Sequence, residues 1–299
     1  RDALDKLIID VRLNEVASRD PNPHVPFSPE EIGRDAAACR EAGASIVHYH
    51  ARDPESGAPS TDVNLYAEAA REIRARCDAL VMPTLGANTV TDLDERIGHV
   101  EVMGKDPETR ADLAPLDLAS LSLAIHQPGM AEVGGDELVY HNSVATLKAL
   151  AARARAAGTM PMAAIWNVGS LRLLGAFVET GVFPHTVWTE LFTTEGGLIA
   201  GHPGTPRGLQ ALIDFLPENA DCIWAAACYG KNALPLLDYA IARGGHAAIG
   251  LGDHPYPELG DGRPTTAEVV AAVVEIARRH GREVATPEET RAILGGDDR

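Results

Sequence analysis

Short apolar runs alternate with longer amphipathic stretches along the whole chain. Residues 7–13, Leu-Ile-Ile-Asp-Val-Arg-Leu, read as a first strand that ends at Asn14 and Glu15. A loop rich in Pro and Asn follows, and Ser28-Pro29-Glu30-Glu31 then opens a helix. Serine is the N-cap, proline takes the first helical position and glutamate completes a capping box. That helix runs to about residue 41 and stops at Gly43. A second strand leads into His48 and His50. Further strands are predicted at 79–84, 116–123, 160–166, 186–192, 221–228 and 246–251, from their apolar, β-favouring runs. Helices are predicted at 65–76, 92–103, 143–157, 169–179, 205–215 and 232–243. Another capping box at Thr265 and Glu268 opens a helix to about residue 279, and Thr286-Pro287 starts a short closing helix.

Eight strands, each followed by a helix, predict a (β/α)8 barrel of the TIM type. A doubly wound sheet is the weaker alternative, because no Gly-x-Gly-x-x-Gly loop follows a strand. No linker or shift in composition divides residues 1–299, so one barrel domain is expected. In such a barrel the chemistry sits at the C-terminal ends of the strands.

Composition narrows the function classes. The 299 residues are 45% hydrophobic and 23% charged, as in a soluble globular protein. The net charge of −17, from 26 basic and 43 acidic residues, disfavours nucleic acid as a partner. No apolar run approaches the roughly 18 residues of a membrane span. The first residues lack the apolar core of a signal peptide, so a cytoplasmic location is expected. Cys39, Cys77, Cys222 and Cys228 show no Cys-x-x-Cys spacing and read as reduced thiols.

The strand ends carry the candidate chemistry. His48 and His50 are two apart, so in a strand their imidazoles project from one face. That geometry suits a divalent metal such as zinc with a position left open; the plain alternative is a pair that only hydrogen-bonds its neighbours. The other strand ends offer Asn14 and Glu15, Arg52 and Asp53, Thr84 to Asn88, Ser120, Ser122 and His126, Trp166 and Asn167, Glu190, Tyr229 to Lys231, and Asp253 with His254. Two histidines, Glu15, Glu190 and Asp253 on one rim strengthen the metal reading. No Gly-x-Ser-x-Gly elbow or P-loop is present. Lys231 suits the start of the seventh helix better than a Schiff base.

The block from Asn22 to Ser60, with Val-Pro-Phe-Ser-Pro-Glu-Glu before Ile-Val-His-Tyr-His-Ala-Arg-Asp, resembles the β-keto acid cleavage enzymes. The tail agrees, with Gly244-Gly245-His246, Gly250-Leu251 and Gly281-Arg282-Glu283-Val284-Ala285-Thr286-Pro287. The resemblance implies a (β/α)8 barrel, a divalent metal (usually zinc), and exchange of a β-keto acid with acetyl-CoA to give acetoacetate and a new acyl-CoA. It implies His48 and His50 as metal ligands, Asp253 as general base and Glu15 as a substrate-contacting carboxylate. Asn14, Thr84, Ser122 and Glu190 are the candidate substrate contacts at the other strand ends. Two departures stand out. Where the family reads Arg-Val-Gly-Leu-Glu-Asp on strand eight, with a catalytic arginine and a third ligand glutamate, this chain reads Ala248-Ile249-Gly250-Leu251-Gly252-Asp253. The fourth strand end reads Ala124-Ile125 in place of the family's Gly-Ser/Thr. His254 and Glu190 are candidate replacement ligands, and Arg52 is the candidate for the missing charge. Lys231, Arg207 and Arg263 are candidate coenzyme A contacts, and a homodimer or homotetramer is expected. Another metal-assisted barrel enzyme, a hydrolase or aldolase, and a non-catalytic barrel are the alternatives.

Overall fold

The two-residue period of each apolar run sorts its side chains between two layers. In the computed structural model, which describes residues 6–86 and 90–295, Leu7, Ile9, Val11 and Leu13 join the outer core under the helices, whereas Ile8 joins a second, inner cluster. By the same alternation Asp10 and Arg12 face inward with Ile8. The elements in chain order are β1 (Ile9–Arg12), α1 (Pro29–Ala42), β2 (Ile46–Tyr49), α2 (Val63–Arg74), β3 (Leu80–Pro83), α3 (Leu93–Met103) and β4 (Leu113–Asp117). After them come β5 (Leu121–Ser122), β6 (Ala124–Ile125), β7 (Val139–Tyr140), α4 (Val144–Ala156), β8 (Met160–Ile165), α5 (Val168–Glu179), β9 (Thr186–Thr194), β10 (Leu198–Ile199) and β11 (His202–Pro203). The chain closes with α6 (Pro206–Ile213), β12 (Asp221–Tyr229), α7 (Leu234–Ile241), β13 (His246–Ile249), α8 (Thr266–Arg279) and α9 (Pro287–Ile293).

Eight parallel strands run side by side in the order β3-β2-β1-β13-β12-β9-β8-β4. At the seam between β3 and β4, Asp112 donates its backbone N–H to the Val81 carbonyl at 2.8 Å and accepts the Val81 N–H on its carboxylate, also at 2.8 Å. The fold is therefore the (β/α)8 barrel the periodicity predicts. Its helices begin where capping chemistry places them: Ser28, Thr265 and Thr286 each form a complete capping box, a feature that stabilises a helix by about 1 kcal/mol. Among the described residues no helix is long and apolar enough to cross a membrane.

One strand is displaced from its expected position. The alternating run at 116–123 predicts the fourth strand there, but the barrel strand is Leu113–Asp117, with Pro115 inside it. Proline lowers a strand reading because it lacks a ladder donor. Residues 118–140 instead leave the barrel and form short antiparallel ribbons, β5 with β7 and β6 with β10. This shift moves Asp117 to the strand end and lifts Ser122 away from it.

Candidate active site

The inward-facing residues at the C-terminal ends of the strands converge on a cavity of about 190 Å³. β1 supplies Arg12, and Glu15 lies just beyond it; β2 and its end supply His48 and His50. Thr84, Asp117, Trp166, Glu190, Phe192 and Tyr229, in or just beyond β3, β4, β8, β9 and β12, also line it.

Glu15 is the hub. Its Oε1 lies 3.1 Å from His48 Nε2 and its Oε2 lies 2.8 Å from His50 Nε2. The three side chains form a buried cluster whose ligand atoms all lie within 4.8 Å of one another. His48 Nδ1 sits 2.9 Å from the Met82 carbonyl, and a carbonyl only accepts. Nδ1 therefore donates its N–H to that carbonyl, and Nε2 faces the Glu15 carboxylate. Glu15 Oε1 makes no hydrogen bond of good geometry. Burial works to raise Glu15, but Arg12, His48 and His50 together hold it well below the usual carboxylate range. Burial pushes the His50 imidazole down.

Arg12 is the second hub. Its Nε lies 3.0 and 3.1 Å from the two Asp253 oxygens, Nη1 is 3.3 Å from Glu190, and Nη2 is 3.1 Å from Glu15 and also bonds the Tyr229 hydroxyl. The guanidinium lies over the Phe192 and Tyr229 rings, 4.8 and 5.2 Å from their centroids. Burial opposes its charge, but the surrounding carboxylates raise it well above the ordinary arginine value. Burial raises Asp253 to about 8, with Arg12 pulling the other way. Behind this group, Asp10 is fully buried and neither of its oxygens has a hydrogen-bond partner. Burial, reinforced by Glu190, raises Asp10 well above the carboxylate range.

A profile of the β-keto acid cleavage enzymes matches residues 6–295. The chain belongs to the β-keto acid cleavage enzyme family. The 3-keto-5-aminohexanoate cleavage enzyme of Acetoanaerobium sticklandii is 28% identical over 98% of this chain and 99% of its own. The 3-dehydrocarnitine:acetyl-CoA trimethylamine transferase of Rhizobium meliloti is also 28% identical, over 91% of this chain and 90% of its own. Among solved structures, apo ObcA matches in fold with a TM-score of 0.72 at 17% identity; the match covers 91% of this chain and 66% of the ObcA chain.

The structure brings some of the residues expected for a family site together and separates others. His48, His50 and Glu15 meet. His254 does not join them: its Nε2 lies 3.2 Å from Glu258 on a loop. Glu190 is held by Arg12 and by Trp188 Nε1 at 3.1 Å, so it too stands apart from the histidines. Arg52 is buried, but its donors go to the backbone carbonyls of Asn14, Glu15, Ala17 and Gly57 and it lies off the cavity wall. Asp253 lies behind the Arg12 guanidinium and is likewise off that wall. The Asn14 amide bonds the Pro26 and His50 carbonyls and accepts the His50 N–H, tying β1 to β2. Thr84 lines the cavity, and its carbonyl lies 2.8 Å from His99 Nε2. Ser122 is exposed on the β5–β7 ribbon, because the barrel strand ends earlier than expected. Ala87 and Asn88 lie outside the described residues. Lys231, Arg207 and Arg263 are exposed.

The sequence reading passed over Arg12, Asp10 and Asp117. The signal was present: each is a charged residue in phase with inward-facing apolar positions of its own strand.

Proposed function

We propose that this family member exchanges a β-keto acid with acetyl-CoA, and that a divalent metal, zinc by its donor chemistry, binds at His48, His50 and Glu15. The observation that carries the metal reading is the convergence of His48, His50 and Glu15 in one buried cluster whose ligand atoms all lie within 4.8 Å of one another. Two imidazole nitrogens and one carboxylate oxygen form a set that suits zinc and leaves a coordination position open.

In the reaction, the bond between the keto carbon and the carboxymethyl carbon breaks. The acetyl carbon takes up that carboxymethyl carbon to give acetoacetate, and the released acyl group passes to coenzyme A sulfur. A bound metal would polarise the keto oxygen and stabilise developing enolate charge. Met82 fixes the His48 ring, and Asn14 fixes the backbone that carries His50. Arg12 holds positive charge beside Glu15 and Glu190 on the cavity wall, where it stabilises oxyanion character by its field. Asp253 holds the Arg12 fork in place. Tyr229 donates to Glu15 Oε2 at 3.1 Å and so orients the third ligand. Coenzyme A enters from the exposed rim, where Lys231, Arg207 and Arg263 are candidate contacts. A cytoplasmic location and a homo-oligomeric assembly belong to this same proposal.

The test has two parts. Metal analysis of the purified protein should find a transition metal, lost in His48→Ala and in His50→Ala. A panel of β-keto acids with acetyl-CoA should release acetoacetate. A metal-free preparation that is fully active would overturn the metal assignment; no acetoacetate from any β-keto acid would overturn the reaction.

A further inference from the structure

A second groove, of about 690 Å³, adjoins the active-site cavity. One wall is residues 126–128, at the end of the β6 ribbon, and the other is the loop that leads from β9 through β10 to β11. The walls are pinned together: His126 donates its N–H to the Gly197 carbonyl at 2.8 Å, and Gln127 Nε2 donates to the Gly196 carbonyl at 3.1 Å. Leu198 lines both the groove and the cavity. Gly201 lines the groove and packs closely on the cavity residue Trp166, where a Cβ would lie 2.1 Å from the Trp166 carbonyl oxygen. The surface grooves beside α1 and between α7 and α8 share no residue with the cavity.

The groove itself is poor in charge. Among the described lining residues His126 and Glu195 are its titratable groups, and no lysine or arginine is present. Gly196 and Gly197 take left-handed backbones, φ +64° and +98°, and carry no Cβ over the peptide groups of that wall. Uncovered backbone of this kind hydrogen-bonds a neutral chain of amides, as an exposed strand edge does. Cations stand just past the groove. Gly196 packs on Gly230, where a Cβ would lie 2.2 Å from the Gly230 carbonyl oxygen, and Lys231 is the next residue. Arg207 follows the lining residue Pro203 through Gly204, Thr205 and Pro206, in the first turn of α6. Both cations are exposed, and among the described residues neither takes part in an ion pair.

We propose that this groove is the channel for the coenzyme A thioester: its pantetheine arm runs along the wall 195–199, its acyl end reaches the cavity past Leu198, and its phosphates meet Lys231 and Arg207 outside. This rests on the β-keto acid reading above and adds the route and the contacts of the co-substrate. The reaction needs the acetyl carbon and the sulfur beside the keto carbon, inside a cavity of about 190 Å³ that is far too small for the nucleotide. An uncharged arm suits a wall without lysine or arginine. The phosphates need local cations, because the chain as a whole carries a net charge of −17.

The test compares acetyl-CoA with S-acetylpantetheine, which keeps the arm and the thioester but has no phosphates. Ile199 lines the groove and is 54% exposed, so Ile199→Trp narrows the channel without entering the core. It should raise KM by about tenfold for both thioesters, with a much smaller change for the β-keto acid. Arg207→Glu combined with Lys231→Glu should raise KM by about tenfold for acetyl-CoA alone. Circular dichroism checks that both variants fold. A wild-type KM for acetyl-CoA in either variant overturns the channel, as does a charge-reversal effect of equal size on S-acetylpantetheine. Calorimetric titration with free coenzyme A reads the groove independently of turnover. Coenzyme A binding that weakens in both variants, without acetoacetate from any β-keto acid, would sink the reaction and keep the channel; acetoacetate formation with wild-type coenzyme A affinity in both variants would do the reverse.

Discussion

Glu15 and Gly252 compete for one space. A Cβ at position 252 would lie 2.5 Å from Glu15 Cγ and 2.9 Å from the Glu15 backbone nitrogen. The strand-eight position where the family resemblance implies a ligand glutamate is therefore glycine here, and a carboxylate reaches the histidines from the end of strand one instead. Glu15 adopts a left-handed backbone with φ +35°, a conformation that non-glycine residues seldom take.

Gly252→Ala should push Glu15 off the histidines and weaken metal retention by about tenfold or more. The exchange can be run in reverse. Glu15→Gly alone should lose metal, and adding Gly252→Glu should recover part of it. Metal stoichiometry after dialysis against a chelator reads both. Unchanged retention in Gly252→Ala would sink the steric relationship.

Arg52 acts on the same feature from behind. Its fork bonds the carbonyls of Asn14, Glu15 and Ala17, which holds the unusual turn at Glu15. Lysine keeps the charge but not the planar fork. Arg52→Lys should fold, retain metal about tenfold less well, and leave helix content unchanged by circular dichroism. Metal binding equal to wild type would exclude the positioning role.

Arg12 neutralises a buried set of carboxylates, and removing it strands them. Arg12→Met should destabilise the protein by roughly 3–5 kcal/mol, and Arg12→Lys by less because charge remains. Denaturant unfolding at neutral pH measures both. Near-equal stability of Arg12→Met and wild type would show that Glu190 and Asp253 do not depend on this partner.

Two buried histidines away from the cavity wall set acid stability. Burial lowers His99 to about 4 and His246 to about 3. His246 Nδ1 accepts the Ile8 N–H at 2.9 Å, so protonation there breaks a contact between β13 and the residue that leads into β1. The folded values lie below the unfolded value near 6.5, so the unfolded chain binds the extra protons. Stability from these groups is complete above about pH 7 and falls as pH drops through 6.5, by about 2 kcal/mol per histidine at pH 5. His246→Asn keeps an acceptor that does not titrate, and should remove about half of that loss. Unfolding free energies at pH 7.5 and pH 5 give the answer; an unchanged slope in His246→Asn would remove His246 from the account.

The histidine pair was legible because strand periodicity alone puts His48 and His50 on one face. Glu15 was legible as a strand-end carboxylate, though not as the partner of both imidazoles. Arg12 and Asp10 were hidden inside an apolar run, where only the inward phase of Ile8 marks them. Asp117 was hidden because Pro115 obscured the true fourth strand and the alternating 116–123 run drew the boundary outward.

The barrel, its helix starts and the histidine rim follow from local periodicity and capping. Long-range packing settles which carboxylate meets the histidines, that Arg12 gathers Glu15, Glu190 and Asp253, and that Asp117 faces the cavity. Those outcomes depend on close approaches between strands far apart in sequence, such as Glu15 against Gly252, and local pattern carries no record of them.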